Sequence, residues 1–303
     1  MLAKPQSSTG LALTSFATAA AAAAVEAAMR PHSKRLPAAP ERTAAATRLN
    51  GASALLAAAA LADSSVEHYR GAFHNKTMIL PLAVAAQALA ASLHGAADHS
   101  RNPNATRHLG QMLAVVTGIA GTGFHFYNIM KRPGGWSWLN LFYAAPIGAP
   151  VALSLGGMLG GIAERLRGGG ALFGFLPGRL IARLVSLGLL GASGEAALLH
   201  FRGAYHNPAM VIPVTAPPVA AALLTGATIC PRLAGPARGA LRLLTGVGLA
   251  GAAFHAYGIQ RNMGGWRNWS QNILNGPPLP APPAFTALAI AGLAALKLIE
   301  RER

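Results

Sequence analysis

Apolar residues fall in eight long runs along this chain, at 49–71, 78–97, 109–130, 146–164, 180–203, 210–229, 239–260 and 284–299. These runs are far longer than strands, and each approaches the roughly 20 residues that a helix needs to cross a bilayer. Ala and Gly dominate them, as expected where helices pack closely in lipid. The pattern predicts an all-α membrane protein of about eight transmembrane helices embedded in a lipid bilayer.

The predicted organisation is a basic, Ala/Pro-rich extension at 1–48, a four-helix repeat at 49–166, a Gly/Arg linker at 167–179 and a second four-helix repeat at 180–303. Within the extension, residues 11–25 are weakly apolar and read as a marginal helix on the cytoplasmic side. The competing reading is a cleaved signal peptide, given Lys4 and the small residues.

The repeat rests on two matched blocks. HYRGAFHNKTMILP at 68–81 is answered by HFRGAYHNPAMVIP at 200–213, an offset of 132, and GTGFHFYNIMKRPGGW at 121–136 by GAAFHAYGIQRNMGGW at 251–266, an offset of 130. The offset returns to 132 in the loop beyond, where Asn140, Pro146 and Pro150 answer Asn272, Pro278 and Pro282. An even number of spans per unit gives both copies one orientation, related by a pseudo-twofold axis along the membrane normal.

Composition agrees with this class. Of the residues, 52% are hydrophobic and 11% charged, well under the charge of a soluble domain. The net charge of +16 does not point to nucleic acid, because the basic residues are scattered through loops and gather in no aromatic-bearing basic domain. They collect on the face that also receives both termini, including Arg42, Arg48, Arg101, Arg107, Arg165, Arg167, Arg232, Arg238 and Arg301. Positive residues stay inside, so both termini are expected in the cytoplasm. The Ala, Gly, Pro and Arg content suggests a GC-rich bacterial genome and hence a bacterial inner membrane. Cys230 is the single cysteine, which excludes an internal disulfide.

The candidate chemistry lies at the ends of the helices away from the termini. Asp63, Glu67, Arg70 and His74 share one helical face, and Glu195, Arg202 and His206 occupy the matching positions with Leu199 in place of Glu67. Acids at this depth are costly in lipid and are expected to face the bundle interior with a partner. At about 1.5 Å per residue, Asp63 lies some 16 Å below His74. Asn75 and Asn207, Met78 and Met210, and His125 and His255 complete two similar clusters.

Two chemistries compete for them. Imidazole with thioether suits copper or the iron of haem b, which predicts a redox or metal-handling subunit with His74, His125, His206, His255, Met78 and Met210 as ligands. No strong metal spacing is present. Alternatively, Asp63, Glu67, Arg70, Asn75, Glu195, Arg202 and Asn207 line a proton path or solute pocket of a proton-coupled transporter. Pro81, Pro213, Pro217 and Pro218 are expected to break helices beside such a pocket.

A third reading is a structural anchor for a periplasmic or membrane partner subunit, and a quinone site between the repeats stays open. An enzyme ranks lower, because the stripe offers no evident activated nucleophile. Plainer roles exist for each motif. RGxxHN serves as a helix terminator, the methionines fill gaps, and the GGW loops anchor at the interface through Trp136, Trp138, Trp266 and Trp269. His94, His99 and His108 read as solvated loop histidines.

Overall fold

The computed structural model describes residues 37–169 and 175–302. The expectation for residues 11–25, and the centre of the Gly/Arg linker, lie outside the described residues.

Among the described residues ten α-helices follow one another: α1 (Ala39–Arg70), α2 (Leu80–Ala97), α3 (Ala105–Met130), α4 (Trp138–Phe142), α5 (Gly148–Arg167), α6 (Pro177–Arg202), α7 (Ile212–Ala227), α8 (Ala234–Arg261), α9 (Trp269–Asn275) and α10 (Pro283–Arg301). Six segments of the described residues are long and apolar enough to cross a membrane: Ala39–Arg70, Lys76–Ala97, Ala105–Met130, Pro177–Arg202, Pro208–Ala227 and Pro283–Arg301. The other two long helices are more polar. Helix α5 carries Ser154, Glu164, Arg165 and Arg167, and α8 carries Arg238, Arg242, His255 and Arg261. The class is therefore an all-helical, multi-pass membrane protein.

Local chemistry sets the boundaries. Proline occupies the first turn of α1, α2, α6, α7 and α10, where its missing N–H leaves no intrahelical bond unmade. Asn75, Asn104 and Ser137 cap the turns or helices that follow them, each accepting a backbone N–H through its side chain. Pro81 and Pro213 thus start helices instead of breaking them, and α7 runs unbroken through Pro217 and Pro218. The expected helix breaks beside a pocket are absent among the described residues.

In the first half α1 packs on α2 and α5, α3 packs on α5, and α2 closes the ring against α3. The second half repeats these neighbours with α6, α7, α8 and α10. Helix α1 meets α10 and α5 meets α6 along the seam between the halves. Ion pairing of Glu41 with Arg301 at 2.9 Å puts the start of α1 and the end of α10 on one face, called here the terminal face.

Glycine decides how closely the helices cross. A Cβ on Gly118 of α3 would collide with Ser154 and the Pro150 carbonyl of α5. One on Gly248 of α8 would collide with Thr286 of α10 and lie 2.8 Å from the carbonyl of Pro282, just before that helix. Outer faces of α3 and α8 stay uncovered, with Leu109, Val116, Phe124 and Tyr127 on one and Leu243, Leu249, Phe254 and Tyr257 on the other. In lipid such faces need no protein cover.

Near the terminal face the first half holds a buried ion cluster. Both Glu164 oxygens accept from Arg107, from Nε and a terminal nitrogen at 2.9 Å each. Arg107 also pairs with Asp98 at 2.8 Å, and Arg167 donates to the carbonyls of Gly95 and Ser100 at 2.7 Å. Glu164 is 1% exposed and Arg107 4%. The sequence pattern had placed Arg107 and His108 in a solvated loop, whereas α3 begins at Ala105 and draws both into the bundle. His108 has a buried Nδ1 with no hydrogen-bond partner among the described residues.

Candidate functional site at the far ends of the helices

Helices α1 and α6 end in the same unusual turn. Ala72 and Phe73 have φ of 52° and 46°, and Ala204 and Tyr205 have 54° and 47°. Successive non-glycine residues in the left-handed region are costly, at roughly 1–2 kcal/mol each, and such strain clusters at functional segments. The preceding glycines are not the left-handed residues. They are small because methyl Cε of Met78 and of Met210 would lie 3.3 Å from a Cβ on Gly71 and on Gly203. The methionines thus pack on the helix ends.

The tight turn orients the histidines. His74 and His206 are exposed, and each donates from Nδ1 to a carbonyl of its own turn, Gly71 or Gly203, at 3.0 Å. His68 and His200, which the sequence reading passed over, face inward. Nδ1 of His68 donates to the Met78 carbonyl at 2.7 Å, and Nδ1 of His200 to the Met210 carbonyl at 2.8 Å. A carbonyl only accepts, so Nδ1 of each ring carries a proton.

His125 and His255 are half-buried on α3 and α8. His255 donates from Nδ1 to the Pro278 carbonyl at 2.7 Å. His125 sits beside the Ala145 and Pro146 carbonyls in looser geometry, with its buried Nδ1 lacking a well-formed bond. His68 lies within electrostatic reach of His125, and His200 of His255. No group of three or more His, Cys, Asp or Glu side chains converges on a common point among the described residues.

The two halves treat their acids differently. Glu195 of α6 reaches across the seam to the start of α5, where it accepts from the N–H groups of Gly148, at 2.7 Å, and Ile147. A Cβ on Gly148 would collide with that carboxylate. At the offset of 132 residues Gly148 falls opposite Pro280, which has no N–H to offer. Asp63 lies within electrostatic reach of Glu67, Glu195 and Arg70, and it makes no hydrogen bond among the described residues. One acid of the seam is tied down and the other is not.

The arginines diverge as well. Arg70 pairs with Glu67 at 2.7 Å. Arg202, with Leu199 where Glu67 would be, crosses the seam to the carbonyls of Leu141 and Ala144 at 3.3 and 3.2 Å and lies over the Phe142 ring. Phe201 joins Trp138 and Phe142 in an aromatic cluster. Short helix α4 of the first half therefore covers the end of α6, while α9 of the second half touches α1. Asn75 and Asn207 are turn caps. Asn140 and Asn272 brace the GGW loops, donating to the Gly135 and Gly265 carbonyls at 2.7 and 2.8 Å.

Comparison of the chain with protein-family models, with curated proteins and with solved structures found no match.

Proposed function

We propose that this chain is a proton-coupled transporter of a small solute in the bacterial inner membrane. In this reading it has eight crossings in two parallel four-helix repeats, with both termini cytoplasmic. One observation carries the reading: Asp63 stands without a hydrogen-bond partner beside Glu195 at the seam between the halves. An acid kept at that depth without a fixed partner is suited to taking up and releasing a proton. Seams between parallel repeats are where rocking transporters bind and release their load. Glu67 and Arg70 form the approach from the far face, and Arg202 with α4 holds the opposite side.

The test is pH-gradient-driven flux in vesicles. Asp63→Asn with Glu195→Gln should abolish it, while chelators leave it unchanged. Flux that survives both substitutions would overturn the reading.

A second reading, copper or haem b held in a redox or metal-handling subunit, is favoured by the anchored Nδ1 atoms of His68, His200 and His255, which leave Nε2 free as a ligand atom. It is checked by the optical spectrum and metal content of purified protein beside a His125→Ala, His255→Ala variant. Neither reading draws on a partner subunit or a quinone.

A further inference from the structure

The first half contains a buried polar chain that reaches further than its counterpart in the second half, where Ser186 accepts from Thr225 at 3.0 Å and donates to the Ala221 carbonyl at 3.2 Å. Ser53 of α1 donates to the Gly156 carbonyl at 2.7 Å and shares a 2.8 Å bond with Ser92 of α2. Gln111 of α3 donates from Nε2 to Ser92 at 2.9 Å. One turn nearer the terminal face, Asn50 sits 3.5 Å from Glu164, in the ion cluster with Arg107, Arg167 and Asp98. Gln111 is 1% exposed, and its Oε1 meets no donor among the described residues. An orphaned acceptor at the break between two hydrogen-bonded segments is where a buried water is expected.

The second half serves as an internal control. At the offsets of the repeat, Asn50, Ser53, Ser92, Arg107, Gln111, Glu164 and Arg167 are answered by Ala182, Val185, Leu224, Ala237, Leu241, Leu296 and Ile299. All seven counterparts are buried as deeply as the polar residues. Backbone contours follow suit. A Cβ on Gly95 would come within 2.5 Å of the Asn50 amide, and where Ala182 replaces Asn50 the repeat places Ala227 opposite Gly95. At these seven positions the packing forms from apolar side chains, and the second half keeps a shorter polar pair one residue further along, Ser186 with Thr225 at 3.0 Å, so close packing does not demand the whole polar chain. Ionisable groups kept buried within a span are by default candidates for an ion or proton path.

We infer that this chain of side chains is a hydrated proton-access route, running from the terminal face into the first half towards Asp63. It begins at the Asp98, Arg107, Glu164 and Arg167 cluster, passes Asn50 and Gln111, and ends at Ser53 and Ser92. Ahead lies an apolar plug of Ala57, Ala60, Val84, Ala85, Ala88, Ala114 and Leu153. From Ser53 to Asp63 is ten residues of helix, about 15 Å. The plug is built largely of alanines, whose small side chains leave little to displace when water crosses. Protons move along the route between water molecules and side chains, with no net change in any bond. The inference rests on the two-repeat and proton-coupled readings.

Two measurements on the full chain separate its failure from theirs. In a Cys230→Ser background, the thiol of Ser92→Cys should react with a water-borne methanethiosulfonate at least about tenfold faster than that of Leu224→Cys, its apolar counterpart. Equal rates overturn the route whatever the protein transports. Separately, the variant Ser53→Val, Ser92→Leu, Gln111→Leu carries the second half's own residues. It should keep its thermal stability while acid-driven proton uptake into vesicles falls roughly tenfold or more, towards the Asp63→Asn level. If Asp63→Asn abolishes uptake and the triple variant does not, transport stands and the route falls. If neither variant changes uptake, the transporter reading falls and the thiol ratio alone decides the route.

Discussion

Arg107 grips Glu164 with two nitrogens deep inside the first half, and an isolated charge there would have no water to turn to. Glu164→Leu alone should destabilise the protein by about 3–5 kcal/mol, because two arginines lose their counter-charge. Converting the whole cluster to the second half's residues, as Arg107→Ala, Glu164→Leu and Arg167→Ile, should recover most of that loss. Thermal unfolding in detergent reads both. Asp98 lies outside the spans, where the N–H and hydroxyl of Ser100, then Arg107, hold its carboxyl well below the ordinary carboxylate range. A depressed folded value contributes stability that is present above the unfolded pKa of about 4 and lost as pH falls below it. The melting temperature should therefore drop in acid, and Asp98→Asn should flatten that drop.

Between helices, small residues set the limits. Gly118→Ala and Gly248→Ala should each cost about 1–3 kcal/mol through overpacking. Gly123→Ala on the same helix as Gly118 meets nothing and should be neutral or gain up to roughly 1 kcal/mol. Helix identity and the paired GGW loops were legible from apolar run length and matched blocks, whereas Asn75 and Asn207, read as pocket or terminator residues, cap the turns that follow them. Inner histidines were not legible. His74 and His206 stand out because an HN pair recurs, yet the inward rings are His68 and His200, six residues earlier, and the signal for His68 was its i+4 step from the buried Ser64. Pro81 and Pro213 sit in first turns and break nothing, and first-turn and mid-helix prolines look alike in a sequence until the helix ends are known. The polar chain through Asn50, Ser53, Ser92 and Gln111 escaped notice for a deeper reason. Matched blocks display what the two halves share, and this chain of side chains is carried by one half at positions where the other is apolar.

For the molecule as a whole, the pairing of Glu41 with Arg301 predicts that cysteines placed beside these two residues react with an impermeant reagent from the same side of a vesicle. Labelling from opposite sides would refute the topology. The covering of α6 by α4 has a consequence in time. Arg202 follows Leu141 by 61 residues, and at roughly 5–20 residues per second a ribosome needs about 3–12 s to supply them. Through that interval the newly inserted first half waits in the bilayer with its helix seam bare. Whatever escorts or degrades unfinished chains has those seconds in which to act.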